Sequence, residues 1–207
     1  MSAEPHWFGS RGPGSKGKGH PVMFNFSEAE YYGDFPDGGG YPIGFLRRAF
    51  EIMEVDDPDA VLHLCSGSLL RGVTVDIRPD MNPTVCCDAR HTPFPDASFR
   101  WILMDPPYSE EYARNLYGTG DAYPQPGELL REATRLLVPG GRVGLLHFQV
   151  PMFRKPLRLL GVWGITTGLG YAIRAFSVME KMGEATAPPE RPRILALPIL
   201  QDTTPLP

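Results

Sequence analysis

The chain has 207 residues, 42% of them hydrophobic and 21% charged, enough for one compact α/β domain and too little for two, which excludes a fibrous, coiled-coil or disordered protein. Gly and Pro number 23 each, well above average usage, so turns and extended segments must be abundant. The net charge of −4 conceals a division along the chain: +2 over residues 1–20, −10 over 27–141, +5 over 142–193, and −1 from Asp202.

An acidic middle followed by a basic third allows a local phosphate-facing surface, although a solvated face explains it equally well. Cys65, Cys86 and Cys87 cannot all pair and neighbours 86 and 87 would make a strained bridge, which points away from a secreted disulfide scaffold and toward a reducing cytoplasm. No stretch approaches 18 apolar residues, so no membrane partner is expected.

Residues 1–26 read as a flexible basic tail, because the run Gly9 to His20 is too poor in apolar groups to offset the entropy of ordering it. Residues 27–193 read as a single domain and 194–207 as a Pro-rich surface segment. Ile43, Leu46, Phe50 and Met53 recur at helical spacing, which predicts a helix from Tyr41 to Glu54. Short apolar runs follow at Ala60 to Leu64, Val73 to Ile77, Thr84 to Cys87 and Phe99 to Met104. Such runs read as strands covered on both faces, as in a parallel sheet. Leu129, Leu130, Ala133, Leu136 and Leu137 form one helical face ended by Pro139, Gly140 and Gly141, and Arg142 to Phe148 is the next strand. A short helix is expected from Met152 to Leu160, interrupted by Pro156, and a hairpin from Val162 to Thr167 and Ile173 to Met179.

The first strand runs into Leu64, Cys65, Ser66, Gly67 and Ser68, and the second ends at Asp76 and Ile77. A small-residue loop leaving a parallel strand lets a ligand approach backbone amides, and an acid on the next strand can accept bonds from two ribose hydroxyls, so the pair points to a nucleoside-containing cofactor. The loop lacks the three-glycine dinucleotide spacing, and an ordinary Gly/Ser turn explains it about as well. The third strand leads to Asp88 and Ala89, where an acid could hold an adenine amino group; a turn former fits Asp88 equally.

The most specific element is Asp105-Pro106-Pro107-Tyr108, directly after a buried strand. Each proline fixes its φ and removes a donor, so the turn is stiff and its carbonyls remain free to accept bonds. The Asp105 carboxylate and the Pro106 carbonyl can together hold both hydrogens of an amino group, while the Tyr108 ring offers a stacking face.

These residues resemble the class I S-adenosylmethionine-dependent methyltransferases, in particular the amino-methyltransferases with an Asp-Pro-Pro-Tyr motif such as DNA adenine N6 methyltransferases. The resemblance spans about Ala60 to Phe148. It implies a Rossmann-like α/β fold with a seven-stranded, mostly parallel sheet and a C-terminal β-hairpin. It also implies S-adenosylmethionine held by Leu64 to Ser68, Asp76, Ile77, Asp88, Ala89 and Asp105, with Asp105, Pro106 and Tyr108 catalytic and no metal. Leu137 to Gly141 matches the family's helix-to-strand turn. A nucleic-acid base, DNA adenine before RNA guanine, is the implied substrate, met by Pro107, Tyr108, His147 and Arg154. Arg154, Lys155 and Arg158 could contact phosphates, although solvated charges explain any one of them. Ser109 to Gly127 is long and breaker-rich enough for a substrate-side lid or an ordinary surface loop. A small-molecule or protein methyltransferase, or a cofactor-binding module without catalysis, is the competing reading.

Two departures stand out. His63 occupies a position where the family has an acid, and only eight residues, Cys65 to Gly72, separate the first two strands, where a parallel crossover normally needs a dozen or more. The first crossover helix should therefore be reduced to about one turn. The sheet face it leaves bare needs the 41–54 helix or, in a homodimer, a partner subunit.

Overall fold

The computed structural model describes residues 22–25, 40–42, 44–119, 123–166 and 172–183. Its elements in chain order are β1 (Val22–Asn25), α1 (Phe45–Met53), β2 (Leu62–Leu64), β3 (Val73–Asp76), β4 (Val85–Cys86), β5 (Phe99–Met104), α2 (Glu110–Tyr117), α3 (Pro126–Leu136), β6 (Leu137–His147), β7 (Leu157–Thr166) and β8 (Arg174–Lys181). The strands form one sheet in the order β1-β7-β8-β6-β5-β2-β3-β4.

Strands β2 to β6 run parallel to their neighbours, while β8 lies antiparallel between β6 and β7. Strands β2 to β8 are thus the expected seven-stranded, mostly parallel sheet with its C-terminal hairpin. An eighth strand, β1, pairs parallel with β7 inside the segment expected to be a flexible tail. The rest of that tail, the Pro-rich C-terminus and the hairpin's Gly168 and Gly170 lie outside the described residues.

The parallel strands are connected economically. The links β2 to β3, β3 to β4 and β4 to β5 contain no α-helix, only a 3-10 turn at Pro79–Met81. The short first crossover is therefore real, and β3 still pairs with β2 in parallel, Leu62 opposite Val73 and Leu64 opposite Val75.

Cover for the bare face comes from α1. Its buried stripe, Phe45, Leu46, Ala49 and Met53, meets Val61, Trp101, Leu103, Leu146, Phe176 and Val178 in one core cluster. The opposite face carries α3, whose Leu129, Leu130, Ala133 and Leu136 pack with Leu62, Leu64, Ile102, Met104, Val143 and Leu145. Alternation along β2 and β5 supplies both faces, as expected of strands buried on two sides.

The loop between β4 and β5 has no helix of its own and is tied to α3 by a polar network. Glu132 Oε1 accepts from the Thr92 amide at 2.9 Å and the Thr92 hydroxyl at 2.7 Å, and Arg135 bridges Glu132, Asp96 and the Phe94 carbonyl. Burial would raise the Glu132 carboxyl, but the Arg135 and Thr92 hydrogen bonds outweigh it and hold the group below its ordinary range.

Two sequence expectations are corrected. No helix forms over Met152 to Leu160: β7 starts at Leu157, straight after Pro156, because Leu157, Arg158 and Leu159 ladder with Lys181, Glu180 and Met179 of β8, whereas a proline-broken helical segment gains few bonds of its own. Helix α3 ends at Leu136, and Leu137 to Gly141 already belongs to β6. The pairing slips between Phe99 and Trp101, and at Gly141 a Cβ would lie 2.9 Å from the Val138 carbonyl and 3.0 Å from that of Arg100. The glycine pair with Gly140 at φ 78° is what lets the irregular strand start lie against β5.

Candidate active site

The C-terminal ends of β2, β3, β4 and β5 converge on one cavity. Its walls include Cys65, Asp76, Ile77, Arg78, Asp88, Ala89, Asp105 and Pro107, closed by Tyr117, Thr119 and Pro124 from the segment after α2 begins. Adjacent parallel strands ending together, with their loops diverging, is the usual position of a ligand crevice in an open α/β sheet.

Asp76 ends β3 almost fully buried. Its Oδ2 accepts from the Gly67 amide at 2.8 Å, and its Oδ1 accepts from the amide and Nε of Arg78 at 3.0 and 3.1 Å. It therefore clamps the loop after β2 as well as facing the cavity. Arg78 in turn lies over the Tyr117 ring at 4.8 Å. Asp88 is bound by Arg90 through both oxygens, the shortest contact 2.6 Å, and this hydrogen bonding holds its carboxyl below the ordinary range against a partial burial effect.

Asp105, at the end of β5, is partly buried with Pro106 buried beside it. Burial pushes its carboxyl up to about 7, although Arg174 and the Tyr108 hydroxyl pull the other way. Tyr108 Oη donates to Asp105 Oδ1 at 3.0 Å, and Arg174 Nη1 donates to Tyr108 Oη at 2.7 Å. The result is a chain from a guanidinium on β8 through a phenol to the carboxylate. Tyr108 packs at 4.4 Å from the exposed ring of Phe148 and edge-on to His147 at 5.6 Å.

Of the residues singled out from sequence, Cys65, Asp76, Ile77, Asp88, Ala89, Asp105 and Pro107 meet at the cavity, and Tyr108 adjoins it through Asp105. Leu64 is core. Ser66 and Gly67 are buried with their amides spent on the Val75 carbonyl and on Asp76, and Ser68 is exposed; none of these three lines the cavity, whose wall at this point is Cys65. His147 is buried beside Tyr108, its Nδ1 accepting from the Gln149 amide at 3.1 Å, and burial holds its ring below the ordinary imidazole range. Arg154 sits apart, on a second groove. His63 does not face the cavity: fully buried on the α1 side, it lies 3.2 Å from Tyr41 Oη.

Sequence reasoning missed Arg174, Tyr117, Arg78 and Phe148. Arg174 lies 66 residues from Tyr108, so only the antiparallel return of β8 beside β6 brings it there. Tyr117 could have been suspected, as an aromatic within the segment already expected to face substrate.

Among the described residues no group of three or more His, Cys, Asp or Glu side chains is placed to hold a metal ion, and no helix is long and apolar enough to cross a membrane. No protein-family profile matches the chain, and no curated protein matches it in sequence. Among solved structures, TrmN from Thermus thermophilus is similar at 22% identity and TM-score 0.48, covering 66% of this chain and 48% of that one, so this chain spans about half its length. A putative methyltransferase in complex with the Trm112 methyltransferase activator of Haloferax volcanii is similar at 15% identity and TM-score 0.48, covering 69% and 90% of the two chains. The Burkholderia thailandensis 1,6-didemethyltoxoflavin-N1-methyltransferase, solved with S-adenosylhomocysteine, is similar at 15% identity and TM-score 0.44, covering 67% and 78%.

Proposed function

We propose that this protein is an S-adenosylmethionine-dependent methyltransferase acting on an exocyclic amino group of a nucleic-acid base. The observation that carries the reading is the Asp105-Pro106-Pro107-Tyr108 turn at the end of a central buried strand, on the wall of a cavity that also presents Asp76 and Asp88 from the two strands beyond β2.

The donor set suits a nucleoside. Asp76 offers acceptor oxygens for ribose hydroxyls, and Ile77 and Ala89 offer apolar surface for a base. The cavity volume is about 50 Å³, well below the roughly 300 Å³ at which small-molecule sites begin. Binding therefore requires the walls of the cavity to part. When bound, S-adenosylmethionine supplies a methyl group already activated by its positive sulfur.

The chain's own contribution is orientation and charge. Ionised Asp105 accepts one hydrogen of the target amine and the Pro106 carbonyl accepts the other, which fixes the nitrogen and raises its electron density. Positioning of this kind can remove several kcal/mol from a barrier. The proton released from the methylated nitrogen passes to Asp105 or to water. Phe148, exposed beside Tyr108, supplies the ring face on which an unstacked base rests. A base within a duplex cannot reach such a turn, so the substrate is single-stranded or flipped.

The test is mass spectrometry of methylated nucleosides in DNA and RNA from cells with and without the gene, followed by transfer assays with Asp105→Ala. A methylated base that disappears with the gene, and a rate lowered by orders of magnitude in Asp105→Ala with cofactor affinity nearly unchanged, are expected. Full turnover by Asp105→Ala on that base would overturn the amine assignment. Cofactor binding without transfer to any nucleic acid would favour a small-molecule or protein substrate, or a module without catalysis.

A further inference from the structure

A second groove opens beside the cavity, between the start of α3 and the loop after β6, with a volume of about 520 Å³. Pro124 walls the first cavity and its neighbour Gln125 the second, while the loop that begins at Phe148 beside Tyr108 supplies the groove's far side. Three exposed cations line it: Arg131 from α3, and Arg154 and Lys155 from the loop. None of the three makes an ion pair with a described residue. The one acid in the lining, Glu128, is already engaged by the Gln125 amide at 3.0 Å and by Arg90 at 3.7 Å. Met152, 91% exposed, and Phe153 add apolar surface to the same wall.

A cation triplet with no ion pair to a described residue, in a protein of net charge −4, is a local reversal of sign, and such a patch attracts polyanions. Cations beside an aromatic and an apolar side chain suit a strand whose phosphates and bases both need contacts. We infer that this groove carries the sugar-phosphate backbone flanking the target nucleotide of a single-stranded nucleic acid, with Arg131, Arg154 and Lys155 on successive phosphates and Phe153 beneath a neighbouring base. The inference deepens the nucleic-acid reading of the site and rests on it.

The test is fluorescence anisotropy with fluorescein-labelled 12-nucleotide oligo-U and oligo-dT, titrated between 50 and 300 mM NaCl. Each phosphate contact contributes about 0.7 to the slope of log K against log salt for a single strand. The triple variant Arg131→Gln/Arg154→Gln/Lys155→Gln should flatten that slope by about 2 and weaken binding at least about tenfold at 100 mM salt. All three side chains are exposed, so its thermal midpoint should stay near that of the wild type; should it fold poorly, each single variant should flatten the slope by about 0.7. An unchanged slope would overturn the inference. Equally salt-steep binding of a labelled 12-residue poly-glutamate peptide would also overturn it, in favour of an acidic protein partner. Asp105→Ala separates the two readings, since it should retain oligonucleotide binding while losing transfer. If wild-type protein methylates no nucleic acid yet binds the oligonucleotide through these three residues, the groove stands and the amine chemistry fails.

Discussion

At the residue scale the proposed methyl transfer turns on whether Asp105 carries a proton. A protonated Asp105 has lost an acceptor, so the rate of transfer should rise with pH and level off above about 7, the value to which burial brings this carboxyl. Arg174 favours the ionised form. Arg174→Met should therefore move the midpoint of the pH–rate profile upward, by about one unit as an order of magnitude for one nearby charge; a midpoint that stays in place or falls would remove Arg174 from the site. From sequence alone Tyr108→Phe would be mild, because the ring face was expected to do the work. The hydroxyl instead bonds Asp105 and receives Arg174. Tyr108→Phe should thus raise the same midpoint and lower the rate below pH 7, with a smaller effect at pH 9, which a rate profile of the variant would show.

At the scale of elements the protein replaces crossover helices with pinned loops. The loop from β4 to β5 owes its place to Glu132, whose oxygen receives both the amide and the hydroxyl of Thr92. Glu132→Ala leaves the Thr92 amide and hydroxyl without their acceptor, while Arg135 keeps Asp96 and the Phe94 carbonyl, so about 1 to 3 kcal/mol of stability should be lost. Because Ala89 and Asp88 lie on the same loop, cofactor affinity should fall with it. Urea unfolding together with calorimetry would detect both; a variant as stable as the wild type would mean that the loop is held by other contacts.

At the scale of the whole molecule, His63 lies buried under α1 with Nε2 lacking a hydrogen-bond partner among the described residues. Burial lowers its pKa to about 3 from an ordinary 6.5. A group whose folded pKa is depressed in this way gives stability that is whole above the unfolded value and is lost as pH falls toward the folded value, because the unfolded chain takes up a proton the folded one refuses. Between pH 7 and pH 5 the loss should be about 2 kcal/mol at 1.36 kcal/mol per unit. Asp105 works in the opposite direction over the same window: with its carboxyl raised to about 7, protonation favours the folded state as pH falls. The wild type therefore shows the difference of the two. His63→Leu should gain stability relative to the wild type as pH is lowered from 7 to 5, measured by urea midpoints at both pH values; a difference between variant and wild type that does not change with pH would take His63 out of the acid response.

Local chemistry alone determined the parallel strands, the strand-end acids and the stiff proline turn. The runs at Leu62–Leu64, Val73–Asp76 and Phe99–Met104 are buried but for Arg100, whereas Thr84 to Cys87 yields only the two-residue strand β4 with Cys86 exposed; Asp76 ends β3, and Asp88 and Asp105 follow β4 and β5. The eight-residue crossover could also be counted in the sequence, and with it the need for α1 to cover the sheet. Tertiary structure alone decided the rest. Leu157, Arg158 and Leu159 join a strand rather than the expected helix because β8 is there to pair with them, and a hydrogen-bond ladder to a distant segment leaves no mark on local periodicity. The partners of the expected acids were likewise hidden: Arg78 and Arg90 sit two residues from the acids they hold, a spacing that strands, turns and helices all share. Arg174 reaches Tyr108 solely through the order in which β6, β8 and β7 lie side by side. A charge–phenol–carboxylate chain across 66 residues is a property of that order, since side-chain contacts depend on distance in space and a sequence records only distance along the chain.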